Sequence, residues 1–351
     1  MNIAKNIQNL RKSRRIEFSA ISGYNFYYLP EDLQADSPIF ALHAQSDTIV
    51  YLVPLRTSNQ MMTRGDEGWY RKFILRPMTS RNFEWPIDLL QCKAADGTYI
   101  LYHAFAQRVF WDCVPLKKLL YQRRDSKVLD WRNEQICQVC RSFLSAMQQL
   151  DEAKYNYNDF NIERIIYQEK TGNIILRYTP QTRGKNGRSG LDKLNPSNIT
   201  REFAPPYLFR EDFDGFLPGQ GDYYSVAAIL FRLMIGRLPY EGRGLSNYGY
   251  VFDPVRDVEA GSHNNYFLQY HKYPHFIFDS EDESNRIAPM QENDLVRERW
   301  ECLPVEIKEM FQNSLCEFTA ENLPPNKLYS PTQWLKACNR YCWNASEFGG
   351  E

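Results

Sequence analysis

Over the first third of the chain, apolar residues recur in short runs rich in β-branched and aromatic side chains. IFALHA (39–44), TIVYLVPL (48–55), WYRKFILRP (69–77) and TYILYHAF (98–105) each predict a strand. The polar breaks QSD, RGDEG (64–68) and AADG between them carry turn chemistry. Beyond residue 115 the period changes. VPLKKLLYQR predicts a helix with Pro115 in its first turn. WRNEQICQVCRSFLSAMQQL (131–150) places Ile136, Cys140, Phe143, Leu144 and Met147 on one helical face. DYYSVAAILFRLMI (222–235) is apolar nearly all round, which predicts a buried helix stopped by Gly236 and Pro239. Further helices are predicted over 304–318 and 331–342, and a short amphipathic one over 1–15. Strands first and helices afterwards give an α+β class. The boundaries are a β-rich part over 16–105, a helical part over 106–345 and a tail over 346–351.

Composition narrows the function classes. Hydrophobic residues make up 43% and charged residues 24% of the 351 positions, values of a folded chain and not of a disordered one. With Lys+Arg 42 against Asp+Glu 43, a net charge of -1 argues against coating nucleic acid or an anionic membrane. No apolar run reaches the roughly 18 residues of a membrane span. The start, MNIAKNIQNLRKSRR, lacks the apolar core of a signal peptide, so a cytoplasmic location is expected.

Two further clusters test for metal chemistry. Cys137/Cys140 and Cys338/Cys342 are spaced to share a helix face and have no nearby His, so they read as reduced core thiols and not as a zinc site. Asp279, Glu281 and Glu283 in DSEDESN alternate in a manner similar to a calcium loop. The turn Gly and the distal Glu are missing, which favours a solvated acidic loop.

Several stretches, in order, resemble the protein kinase fold. YNYNDFNIERII (155–166) is similar to the catalytic loop, His-Arg-Asp-Leu-x-x-x-Asn. GNIILRYT (172–179) resembles the strand leading into Asp-Phe-Gly, and FAPPYL (203–208) the Ala-Pro-Glu segment. DYYSVAAILFRLMIGRLPYEGR (222–243) resembles the central helix of the large lobe, and LPVEIKEMFQNSL (303–315) and SPTQWLKAC (330–338) its last helices. The resemblance implies a two-lobed protein, with a small β-rich N-lobe and a larger, mainly helical C-lobe carrying an insertion at about 245–300. Within that insertion, YPHFIFDSEDESNR (273–286) is similar to one found in some bacterial kinase-like proteins.

Carried over position by position, the resemblance puts Asp159 at the catalytic Asp, where it would accept a proton from the acceptor hydroxyl or persist only for structure. Tyr157 stands for the usual His and Asn158 for the Arg. The metal-binding Asn falls on Arg164, which has donors only and cannot ligate Mg²⁺. The Asp of Asp-Phe-Gly falls on Tyr178, or on Arg177 if the register shifts by one; neither is an anionic oxygen ligand at neutral pH. Lys72 is the candidate phosphate-contacting Lys or a solvent-facing strand Lys, and the five residues after RP leave no room for the helix that would bear its Glu partner. No Gly-x-Gly-x-x-Gly is present. The Glu of Ala-Pro-Glu falls on Tyr207, or on Pro206, and its Arg partner on Leu328, an apolar replacement of a buried ion pair. Asp222, heading the central helix, would hold the catalytic-loop backbone.

What the resemblance implies is a pseudokinase that serves as a signalling, scaffold or allosteric module in a bacterial kinase/phosphatase system. Its partners would be other proteins, a kinase, phosphatase or signalling component, with no nucleic acid. No cofactor is firmly implied: ATP binding would be weak or metal-independent, with Arg164 contacting phosphate directly. The alternative is an atypical active Ser/Thr kinase, or another ATP-using phosphoryl or nucleotidyl transferase, with unusual metal ligands drawn from Asp159, Glu163 and Asp192. The segment RGKNGRSGLDK (183–193) corresponds to the activation loop and reads as a mobile, solvated stretch.

Overall fold

The computed structural model describes residues 16–20, 22–23, 25–27, 39–43, 45, 48–58, 78, 80–93, 97–106, 113–125, 134–179, 181–185, 199–209, 221–243, 274–287, 293–316 and 328–347. The predicted helix over 1–15, the strand over 69–77 with Lys72, RGDEG and Asp192 lie outside them. The fold is mixed α/β, and the chain divides into two compact units, Met1–Trp111 and Asp112–Glu351.

In the first unit the strands are β1 (Ile16–Ser19), β2 (Asn25–Tyr27), β3 (Ile39–His43), β4 (Thr48–Ser58), β5 (Phe83–Glu84), β6 (Asp88–Lys93) and β7 (Tyr99–Ala106). Six of them form an antiparallel sheet in the order β1-β2-β3-β4-β7-β6. β4 pairs directly with β7, from Val50↔Ala106 to Ser58↔Tyr99. The register shifts between Pro54 and Arg56. Proline has no N–H for the ladder, so an irregularity is where a strand tolerates one. Phe26, Ala41, Val50, Leu52, Leu90, Ile100, Tyr102 and Ala104 form one buried cluster. Leu101, His103 and Phe105, alternating with them on β7, are buried as well. A strand covered on both faces reads as a continuous apolar run, as TYILYHAF does.

The sheet curls. β1 packs against β6, and the buried Asp88 at the head of β6 accepts hydrogen bonds from the backbone N–H of Ser22 (3.2 Å), the Ser22 hydroxyl and the N–H of Leu89 (2.8 Å). The β1–β2 turn is thereby tied to the opposite edge of the sheet. Burial pushes the Asp88 carboxyl pKa up, and these three donors oppose the shift.

The second unit contains β8 (Cys113–Pro115), α1 (Leu116–Asp125), α2 (Glu134–Glu152), β9 (Tyr155–Asn156), β10 (Ile165–Gln168), β11 (Ile174–Arg177), β12 (Arg183–Gly184), α3 (Gly221–Ile235), α4 (Asp294–Glu301), α5 (Val305–Leu315) and α6 (Pro331–Glu347). Val114 and Pro115 belong to a strand, and the helix begins two residues later than the sequence predicts, because both are paired with β10. Helix α6 runs five residues beyond its predicted end, and α5 closes at Leu315 instead of 318.

Helix α3 is the core of this unit. Val226, Ile229, Leu230 and Leu233 are all fully buried, and α1, α2, α4 and α5 pack around it. That surround explains why its sequence lacks a polar face. Phe231 sits edge-on to Phe276 and Phe311, each 5.3 Å away between ring centroids. The helix stops at Gly236, whose φ of 88° only glycine adopts without cost. The one basic side chain of α3, Arg232, is buried and donates to the Gly236 carbonyl (2.9 Å) and to Glu241 (3.5 Å). Cys137 and Cys140 of α2 and Cys338 of α6 are buried, not disulfide-bonded, and line one apolar crevice with Met234 and Ile307. Among the described residues, no helix is long and apolar enough to cross a membrane.

Candidate functional site

The chain leaves α2 through a turn, pairs briefly as β9 with β12, and then makes an irregular loop before β10. That loop, 157–164, holds Tyr157, Asn158, Asp159, Glu163 and Arg164, all singled out by sequence. Its backbone is tightly bent. The N–H of Asp159 donates to the Tyr157 carbonyl (2.9 Å) across Asn158, whose φ is 67°. A three-residue turn with a positive central φ is a rare conformation, and Asn accepts it better than most side chains.

Three side chains hold this bend. The Asp222 carboxylate, in the first turn of α3, accepts the N–H groups of Tyr157 and Asn158, the latter at 2.9 Å. The Tyr157 hydroxyl donates to the carbonyl of Arg177 at the end of β11. The Asn158 amide donates to the Gln181 carbonyl (2.8 Å). Tyr157 is fully buried, and its ring packs edge-on to Phe160 with centroids 5.2 Å apart. Burial pushes the Asp222 carboxyl up to about 6, against the lowering effect of the two backbone donors, so it is ionised at neutral pH.

Asp159 is buried, and its Oδ1 accepts the backbone N–H of Thr200 (3.1 Å). Thr200 leads directly into the paired 3₁₀ turns Arg201–Phe203 and Pro206–Phe209. Arg164 is exposed at the turn that enters β10. Tyr178 is buried just after β11. Tyr207 is buried in the second 3₁₀ turn, and Leu328 is half-buried ahead of α6. The structure therefore brings Asp222 of α3 against the loop that carries Asp159 and places Arg164 at the surface, at the end of that loop. Lys72 lies outside the described residues.

Other residues important to this loop were not singled out by sequence. Lys185, just after β12, is ion-paired with Asp151 at the end of α2 and lies 4.9 Å over the Tyr223 ring; Tyr223 donates to the same Asp151 (2.9 Å). Together they fasten the start of the 183–193 segment to α2 and α3. No short motif announces such a network, because its members are spread over a sequence separation of 72.

The acidic DSEDESN stretch spends its carboxylates locally. Asp279 accepts the N–H groups of Glu281 and Asp282, Asp282 caps the 3₁₀ turn at Ser284 and pairs with His275 (2.6 Å), and Glu283 pairs with Arg286. Among the described residues, no group of three or more His, Cys, Asp or Glu side chains is arranged to hold a metal ion. No protein-family model matches the chain, and no curated protein is significantly similar to it.

Proposed function

We propose that this is a two-lobed, kinase-like protein that does not transfer phosphate. It serves instead as a signalling, scaffold or allosteric module, working with a protein kinase, phosphatase or related partner in bacterial signalling. A single contrast supports the reading. The loop at 157–164 is closely held by Asp222, Tyr157 and Thr200, yet the positions where the resemblance puts the two metal ligands carry a surface Arg164 and a buried Tyr178. Phosphoryl transfer depends on metal ions bridging the phosphates, and a guanidinium offers them no lone pair. The buried Asp159, engaged with the Thr200 backbone, then serves the shape of the loop.

A thermal-shift titration tests this. ATP with Mg²⁺ or Mn²⁺ should stabilise the wild-type protein no more than ATP with EDTA, because only a ligand of the native state raises the melting point. The double variant Arg164→Asn/Tyr178→Asp, checked first for native-like unfolding, should gain a Mn²⁺-dependent shift. A metal-dependent shift in the wild type would reverse the reading and favour an atypical transferase.

A further inference from the structure

The two 3₁₀ turns that follow Thr200 close on each other through their end residues. Arg201, the first residue of one, lies over the ring of Phe209, the last residue of the other, with its guanidinium carbon 4.5 Å from the ring centroid. Both side chains are half-buried, while Phe203, Tyr207 and Leu208 between them are buried and anchor the turns. The backbone is also fixed just ahead of Arg201, where the Thr200 N–H donates to Asp159 (3.1 Å).

A guanidinium laid on an aromatic face gives up that face and keeps its rim of N–H donors. The rim of Arg201 is unused: among the described residues no carboxylate pairs with it and no acceptor engages it. Its Nη1 is enclosed without a hydrogen-bond partner. Burial lowers the Arg201 pKa, and no neighbouring charge among the described residues opposes that shift. The adjacent acid is turned to other cations. Burial raises the Glu202 carboxyl to about 7, and the charges that offset this are those of Arg232 on α3 and Lys117 on α1. A partly desolvated cation with an orphaned donor is costly until an anion compensates it. With Nη1 enclosed, the edge formed by Nε and Nη2 is the one left to an incoming group.

We infer that Arg201, held flat on Phe209, is an oxyanion-binding site that takes a phosphate or carboxylate group side-on through Nε and Nη2. Two parallel N–H groups match two oxygens of such an anion, and the fixed turns and the ring beneath hold the fork in place. The group comes as a free anion or on an acidic side chain of a partner protein. The inference goes beyond the pseudokinase reading and stands whether or not the loop at 157–164 transfers phosphate.

The test titrates the full chain, isotope-labelled in its arginine side chains and backbone amides, by nuclear magnetic resonance. The probes are sodium phosphate and, separately, a glutamate-rich peptide, each compared with sodium chloride of equal ionic strength. The Nε–H resonance of Arg201 is the one absent from Arg201→Lys. It should shift saturably with phosphate or with the peptide and hardly at all with chloride, which screens charge but offers no pair of oxygens. Arg201→Lys keeps the charge and loses the fork, so the affinity read from the backbone amides of 201–203 should fall about tenfold. Phe209→Leu removes the platform and should weaken binding about threefold. Tighter binding of phosphate identifies a free anion as the ligand, and tighter binding of the peptide identifies an acidic segment of a partner; both support the site. An Arg201 resonance that moves with neither probe, or no further than in chloride, overturns it, and that reading is taken on the wild type and needs no variant to fold.

Discussion

Removing the carboxylate of Asp222 should release the loop at 157–164. In Asp222→Ala, the N–H groups of Tyr157 and Asn158 each lose a buried, charge-assisted acceptor. An unsatisfied buried donor costs about 1–3 kcal/mol, which sets an upper range of about 2–6 kcal/mol for the two. The ionised carboxylate is itself costly to bury, as its pKa of about 6 records, so the expected net loss at pH 7 is about 2–4 kcal/mol. The positive φ of Asn158 is then no longer over-determined and relaxes. Urea unfolding measures the stability, and amide exchange at Tyr157 and Asn158 should show protection lost there before it is lost in α3. The same carboxyl gives a pH signature. The folded protein keeps Asp222 protonated to about 6, while the unfolded chain releases that proton near 4. The folded state therefore holds more protons across this window, and stability falls by about 3 kcal/mol as pH rises through it. Asp222→Asn should abolish that component. A loss below about 1 kcal/mol in Asp222→Ala, with exchange at 157 and 158 unchanged, would refute the assigned role.

Other sites give independent tests. His103, buried on β7, has its pKa lowered to about 3 by burial, so the unfolded chain takes up a proton below about 6.5 that the folded protein refuses. Stability should drop on the order of 5 kcal/mol between those values, and His103→Leu should flatten this part of an acid-unfolding curve relative to wild type. A Cβ at Gly242 would lie 1.8 Å from the backbone oxygen of Asn285, whose side-chain amide donates to the Tyr240 and His275 carbonyls. Gly242→Ala should destabilise the second unit by about 1–3 kcal/mol in urea unfolding, and a neutral result would mean that the 274–287 segment docks differently.

The parts legible in the sequence are those set by local pattern. The strand runs at 39–43, 48–58 and 99–106 and the buried helix at 221–235 follow from periodicity and stop signals, because each is decided by residues within a few positions. The curl of the sheet was not legible. It depends on Asp88 meeting the Ser22 turn, 66 positions away, and a lone Asp before an apolar run gives no sign of that. Pro115 misled for a related reason: its ring suits a first helical turn, but pairing with β10 decided its place. At the candidate site, Asp159 and Asp222 could be picked out by motif, whereas the bond from the Tyr157 hydroxyl to the Arg177 carbonyl, 20 positions away, emerges only once the fold is known. The Lys185–Asp151–Tyr223 network likewise needs three separate elements to be brought together.

The central claim is that this loop is kept in shape without transferring phosphate. Its most direct test is incorporation of radiolabel from γ-labelled ATP by the purified chain, alone and with generic protein substrates, in Mg²⁺ and in Mn²⁺. The account predicts no incorporation above that of Asp159→Ala under any of these conditions. Metal-dependent incorporation by the wild type that disappears in Asp159→Ala would contradict it and make Asp159 a catalytic base.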